Sequence, residues 1–287
     1  LVGVVSLQRM TVRLFEGRAL GLPMGISSSA IPAGIVVVLN VAGPLAESHG
    51  WREVAWLTGL VTLFIAGVFL AASWFLLKGQ LRAERSGAGD EPAGRGYRAV
   101  WIAGTVWIMT NGAMFSFTTF APDHFLDLGF GTGARGLFTS LPMWISALLG
   151  PVIGFTVDRH GGRAASLGLG MALMTVGLLL AATAGLHPVA LGIALGLAMA
   201  MIVTPLYSMV GEVMPAAHVG RAFGILASCG NLGIFVFPPL AGRVRDVSGG
   251  YLWPFLLMAA LALTGMAVAE VLRRGRFTPG WTGSWRI

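Results

Sequence analysis

The placement of charged residues constrains this chain more than any other feature, because seven long apolar stretches contain none at all. These stretches are residues 19–46, 54–77, 99–122, 136–157, 164–211, 222–242 and 247–269. About 20 apolar residues suffice to cross the hydrocarbon core of a membrane. The stretch 164–211 is long enough for two crossings, and Gly185, His187 and Pro188 supply a turn signal within it. The sequence therefore predicts eight membrane-spanning helices.

The composition supports an all-α, polytopic transmembrane helix bundle. Charged residues make up 11% of the chain and hydrophobic residues 55%, whereas soluble domains carry about 25% charged residues. The net charge of +7 does not indicate a nucleic-acid partner, because the cations lie at the ends of apolar stretches and form no basic domain. We expect membrane lipid and a small-molecule solute as partners, and no nucleic acid.

The hydrophilic segment 78–98 divides the chain, since it mixes charged residues with Gly, Ala and Ser. We interpret it as a cytosolic linker between two bundles. Residues 1–77, with helices at 19–46 and 54–77, then form the remnant of an N-terminal bundle whose first residues are the tail of a truncated helix. Residues 99–272 form a six-helix C-terminal bundle, and 273–287 are a cytosolic tail.

The distribution of Lys and Arg predicts the orientation of the helices. Of the 19 Lys and Arg residues, fifteen fall on the side that holds both termini and the segment 78–98. Cytosolic loops carry an excess of these residues. We therefore expect a multi-pass protein of the plasma or inner membrane with both termini in the cytosol.

The loop from Gly154 to Arg163 reads Gly-x-x-x-Asp-Arg-x-Gly-x-Arg and joins two predicted spans. Asp158 ends one helix and Arg163 begins the next, so each lies at the helix pole that disfavours its charge. Arg159 suits the first helix, and Gly161 with its neighbour Gly162 supplies the φ > 0 positions of a tight turn.

Two further charges are at disfavoured poles, because Glu212 ends a predicted helix and Arg221 begins one. The cost, about 0.3–1 kcal/mol each, is removed if the carboxylates of Asp158 and Glu212 pair with Arg163, Arg221 or Arg18. We predict such a cytosolic latch. The alternative is a set of solvated loop charges that only fix the topology.

The loop motif resembles the one between the second and third helices of each half of the major facilitator superfamily. Glu212-Val213-Met214-Pro215 followed by Gly220-Arg221-Ala222-x-Gly224 resembles that family's junction of helices ten and eleven. The resemblance implies that this chain corresponds to helices five to twelve, that it lacks roughly helices one to four, and that those helices are needed for activity. It also implies that the latch binds the two bundles while the cavity faces outward and parts when the cavity opens inward.

No Asp, Glu, Lys or Arg lies at mid-depth in the predicted spans, so the sequence offers no evident proton-coupling site. The candidates for contact with a solute are uncharged residues, for which contact between helices is an equally good interpretation. They are Asn111, Thr119, Trp144, Tyr207 and Asn231. Tyr207 is the strongest candidate because Pro205 frees a backbone carbonyl nearby. Six tryptophans mostly near span ends indicate an aromatic belt: Trp51, Trp56, Trp74, Trp101, Trp107 and Trp253.

The sequence predicts a secondary transporter that moves a small solute by alternating access, and an organic anion is the solute class that we expect. No metalloprotease, nucleophile-elbow or Cys/His pattern is found, so we predict no enzyme activity, no catalytic residues, no cofactor and no metal. The alternative is a truncated, non-transporting membrane remnant or scaffold.

Overall fold

The computed structural model of the chain describes residues 2–15, 19–77, 94–183, 187–215 and 217–274. Within these ranges the backbone is built from helices: α1 (Val2–Leu14), α2 (Gly21–His49), α3 (Trp51–Leu77), α4 (Gly94–Asp127), α5 (Thr132–His160), α6 (Arg163–Ala182), α7 (Pro188–Val213), α8 (Val219–Ser248) and α9 (Leu252–Arg274). The helices α2 to α9 are each long and apolar enough to cross a membrane. The predicted all-α bundle of eight spanning helices is therefore confirmed.

Most helices extend beyond the predicted spans. The predicted span 99–122 becomes α4, which continues through Pro122 to Asp127, and α8 continues through Pro238 and Pro239 to Ser248. Proline is tolerated inside spanning helices because neighbouring groups satisfy the carbonyl that its missing N–H leaves free. Asp123, His124 and Asp127, which follow the predicted span, consequently lie on the last turns of α4. The break at Pro188 is confirmed, since α6 ends at Ala182 and α7 begins at Pro188.

The backbone divides into two compact units. One comprises residues 1–36 with 93–287, and the other comprises residues 37–92. The second unit holds the end of α2 and the whole of α3. The predicted division into bundles at 77 and 99, with the linker and the tail, stays a prediction; most of 78–98 and all of 275–287 lie outside the described residues.

In the first unit, α4 packs on α8 and α9, α5 packs on α7, and α6 packs on α7 and α9, while α1 contacts α8. Glycine permits these contacts, because helices in lipid associate by close packing and not by a hydrophobic driving force. A methyl group on Gly196 of α7 would lie 2.7 Å from the carbonyl oxygen of Pro142 of α5. A methyl group on Gly170 of α6 would lie 2.9 Å from the carbonyl oxygen of Ala198.

Candidate functional site

The carboxylate of Asp158, near the end of α5, binds the first residues of α2. Its two oxygens accept hydrogen bonds from the backbone N–H groups of Gly21 and Leu22, both at 2.8 Å. The position is unfavourable for α5, but the N-terminus of α2 favours a negative charge and has unsatisfied N–H donors. Asp158 thus acts as a capping group supplied by another helix.

Arg163, the first residue of α6, joins the two carboxylates that the sequence singles out. Its guanidinium Nη2 lies 3.1 Å from Oδ1 of Asp158 and 2.7 Å from Oε1 of Glu212 at the end of α7. The Arg163 side chain is only 4% exposed, so this pairing keeps a buried cation compensated. We call Asp158, Arg163, Glu212 and the α2 N-terminus the ion cluster.

Glycines bring α2 and α5 close enough for this contact. A methyl group on Gly21 would lie 2.5 Å from Oδ1 of Asp158 and 2.6 Å from the carbonyl oxygen of Gly154. The turn after α5 uses Gly161 and Gly162, whose φ values of 72° and 80° confirm the predicted φ > 0 positions. This turn directs Arg163 back toward Asp158.

The remaining cations of the predicted latch do not lie beside the two carboxylates as Arg163 does, or lie outside the described residues. Arg159 is exposed, and Arg18 lies outside the described residues. Arg221 is also exposed, and its guanidinium lies 5.5 Å from the centre of the Tyr97 ring. Tyr97 in turn has its hydroxyl 3.2 Å from Nδ1 of His218. In the part of the chain that the structure describes, Arg221 thus has an aromatic contact instead of the expected carboxylate, since an arginine can also be stabilised over a ring face.

A packed apolar layer lies beside the ion cluster, at residues that adjoin it on α2 and α7. Val12, Leu20 and Met24 are each at most 5% exposed. A methyl group on Gly211 of α7 would lie 2.9 Å from Val12 and 3.1 Å from Leu20. We call these residues the apolar layer. Met24 lies on α2 between Gly21 of the ion cluster and Ser28, about one helical turn from each.

Beyond the apolar layer lies a cavity of about 260 Å³. Its lining comes from α2, α4, α5, α7 and α8, and its polar and aromatic members are Ser28, Ser29, Trp107, Asn111, Phe115, Ser146, Thr204, Tyr207 and Asn231. The wall contains no charged side chain among the described residues. The position of Gly150 in this wall, one turn before Gly154 on α5, places the cavity next to the contact between α2 and α5.

Three of the five predicted cavity residues line this cavity: Asn111, Tyr207 and Asn231. Trp144 does not, because its neighbour Met143 faces the cavity and Trp144 itself is 43% exposed on another side of α5. Thr119 is exposed and donates to the carbonyl of Phe115 at 2.8 Å, one turn beyond the cavity wall. The carbonyl freed by Pro205 belongs to Met201, and it accepts a hydrogen bond of 3.1 Å from Ser166 of α6.

Ser28 and Ser29 were not predicted as cavity residues, and the assignment of Trp107 to the aromatic belt was wrong. Trp107 is 8% exposed, and its ring meets that of Tyr207 edge-on at 5.7 Å. Tyr207 also stacks on Phe223 at 5.8 Å. The spacing of four residues between Trp107 and Asn111 was the available signal, since it puts both on one helix face.

Eight long apolar helices with a cavity lined by uncharged polar side chains are typical of a multi-pass membrane transporter. Comparison with known proteins agrees with this class. The family model of the Major Facilitator Superfamily matches residues 125–283, which is more than half of the chain. The chain therefore belongs to the Major Facilitator Superfamily, which confirms the resemblance found in its sequence.

Among curated relatives, the human lysosomal dipeptide transporter MFSD1 is 24% identical over 95% of this chain. The match covers 63% of that relative's length. The nitrite extrusion protein of Bacillus subtilis is 24% identical over 82% of this chain and 59% of its own length. Among solved structures, the transporter FucP in its outward conformation has a TM-score of 0.63 at 14% identity, covering 88% of this chain and 68% of that one; this similarity concerns the fold.

Proposed function

We propose that the chain moves a small polar solute across the membrane by alternating access. The observation that carries the proposal is the order of three contacts along α5, which follow one another at one helical turn each. Gly150 lines the cavity, Gly154 packs against Gly21 of α2, and Asp158 binds Arg163. A solute in the cavity would leave at this end only if the last two contacts part.

The ion cluster is proposed to be the gate at this end. It joins α2, which precedes the segment 78–98, to α5, α6 and α7, which follow it, so its opening would separate the two parts of the chain. Glu212 is already 19% exposed whereas Arg163 is 4% exposed, so opening would have to hydrate the arginine. Such a contact is suited to break and re-form because hydration compensates the separated charges.

The Lys and Arg asymmetry supports a cytosolic position for this gate and for both termini, in the plasma or inner membrane. The organic anion expected from sequence, and the need for further N-terminal helices, both stay predictions. Relatives are named for dipeptides and for nitrite, so a dipeptide and nitrite are the first solutes to test.

Uptake by liposomes that contain the 287-residue chain tests the proposal. Radiolabelled alanyl-alanine and nitrite should enter such liposomes saturably. The variant Ala227→Trp, which places an indole in the cavity wall, should abolish that uptake. The matched control Ala190→Trp, at an exposed position of α7, should retain it.

Two results would count against the proposal. Uptake that survives Ala227→Trp would show that the solute does not pass through this cavity. Absence of saturable uptake by the unmodified chain would instead favour the alternative of a non-transporting membrane remnant.

A further inference from the structure

Five polar side chains of the cavity wall already donate a hydrogen bond to a backbone carbonyl. Ser29 donates to the carbonyl of Gly25 at 2.8 Å, and Ser28 donates to the same oxygen at 3.2 Å. Thr204 donates to the carbonyl of Gly150 at 3.3 Å. A carbonyl oxygen can only accept, so each hydroxyl proton is directed into the helices and each hydroxyl oxygen keeps lone pairs to offer.

Both cavity amides are oriented in the same way. Nδ2 of Asn111 donates to the carbonyl of Trp107 at 2.8 Å, and Nδ2 of Asn231 donates to the carbonyl of Ala227 at 2.8 Å. The partner is a carbonyl oxygen in each case, which fixes the nitrogen on the backbone side and leaves Oδ1 as a free acceptor. Asn231 is exposed, so its Oδ1 can reach a solute.

A proline adds a further acceptor to the same wall. Pro32 lines the cavity and has no N–H, so the carbonyl of Ser28, four residues earlier, lacks its helical donor. Serine, threonine, amide and backbone oxygens therefore face the cavity from α2, α4, α7 and α8. The donors that stay available in the described wall are the indole N–H of Trp107, the hydroxyls of Ser146 and Tyr207, and the second amide hydrogens.

The aromatic rings of the wall favour a cationic ligand, as the acceptor oxygens do. Trp107, Phe115 and Tyr207 line the cavity, and the face of an aromatic ring attracts a cation. By contrast, the described wall offers no Lys or Arg to an anion. A carboxylate placed here would lose its hydration without gaining an opposite charge.

We propose that this wall binds a primary ammonium group of the solute, through the oxygens of Thr204, Asn111 and Asn231 and the ring faces of Trp107 and Tyr207. The inference rests on the proposed function and specifies one group of its solute. A carboxylate on the same solute, as in the organic anion expected from sequence, would have to bind outside this wall.

Three related peptides test the inference on the full chain in lipid nanodiscs, with binding measured by equilibrium dialysis. Alanyl-alanine has an ammonium and a carboxylate, alanyl-alanine amide keeps only the ammonium, and N-acetyl-alanyl-alanine keeps only the carboxylate. We expect the amide to bind at least as tightly as the parent peptide. The acetylated peptide should bind at least tenfold more weakly.

Variants test whether residues of the cavity wall bind the ammonium group. Asn231→Asp keeps the shape of the side chain and adds a negative charge, so it should tighten binding of alanyl-alanine amide severalfold. Thr204→Val removes an acceptor and should weaken that binding severalfold. The control Thr264→Val removes a hydroxyl that donates to the carbonyl of Ala260 at an exposed position of α9, and it should leave binding of the amide unchanged.

The outcomes separate this inference from the proposed function. If the acetylated peptide binds as tightly as the amide, or if Asn231→Asp leaves binding of the amide unchanged, the ammonium assignment is wrong while the cavity stays a solute site. If none of the three peptides binds saturably, the proposed function itself fails for this class of solute.

Discussion

Two ion-paired sites at opposite ends of the first unit differ in character. At the ion cluster, Arg163 is 4% exposed and lies 2.7 Å from Glu212 and 3.1 Å from Asp158. At the other end, Arg245 and Asp123 are 3.6 Å apart and their side chains are 35% and 53% exposed. Arg245 also lies over the ring of Tyr251 at 4.6 Å.

The difference lies in burial and in what else each charge binds. An exposed pair gains little, because water competes for both charges. A buried charge that loses its partner is strongly unfavourable, so a buried cluster holds its helices firmly until the whole cluster is hydrated. Asp158 also binds backbone N–H groups of α2, which ties the cluster to a helix and not only to another side chain. We infer that one end is built to switch and the other end is not.

Arg163→Met should lower the midpoint of thermal unfolding more than the other variants do. Two carboxylates would then face each other without a cation, and breaking a buried ion pair in this way costs about 3–5 kcal/mol. The midpoint of thermal unfolding of the purified chain should fall clearly. Arg159→Met, which removes an exposed arginine from the same loop, is the matched control and should leave the midpoint nearly unchanged. A similar small change in both variants would contradict the buried cluster.

Gly21→Ala should cause the second largest decrease in the unfolding midpoint. The added methyl would meet Asp158 and Gly154 at 2.5 and 2.6 Å, and overpacking of this kind costs about 1–3 kcal/mol. Gly34→Ala on the same helix is the control, because nothing lies within 4 Å of the added methyl and alanine favours a helix by about 0.5–1 kcal/mol. The unfolding midpoint should therefore fall for the first variant and hold or rise for the second. Equal shifts would mean that α2 and α5 are not in close contact.

Asp123→Asn should change the unfolding midpoint least. Its pair with Arg245 is exposed, and such pairs contribute about 0–1 kcal/mol. Unfolding midpoints measured at low and high salt should differ little from those of the unmodified chain. A loss as large as that of Arg163→Met would abolish the distinction between the two ends.

The ion cluster was partly predictable from sequence. Asp158, Arg163 and Glu212 stood at helix poles that disfavour their charges, and the structure brings all three together. The α2 N-terminus was not predicted as a partner, because backbone N–H groups at Gly21 and Leu22 carry no signal in the sequence. Arg221 was expected at a carboxylate, but sequence spacing could not show that the ring of Tyr97 lies beside it.

The cavity was predictable where a polar side chain stands out in an apolar span. Asn111, Tyr207 and Asn231 were found in this way. Ser28 and Ser29 were missed because serine commonly bonds to its own helix and then resembles an apolar residue. Trp107 was misassigned, since a belt tryptophan and a cavity tryptophan differ only in depth and rotation along the helix. Both depend on the packing of α4 against α8.

The distance between α2 and α5 tests the central claim most directly, namely that the Asp158 carboxylate holds the N-terminus of α2 at this end. Spin labels at Leu22→Cys and Phe155→Cys, both at exposed positions, can be placed in a Cys229→Ala background and measured by pulsed electron resonance in nanodiscs. We expect one short, narrow distribution of the distance between the two labels. Addition of Asp158→Asn should produce a second population at longer distance. An unchanged distribution in the Asp158→Asn variant would contradict it.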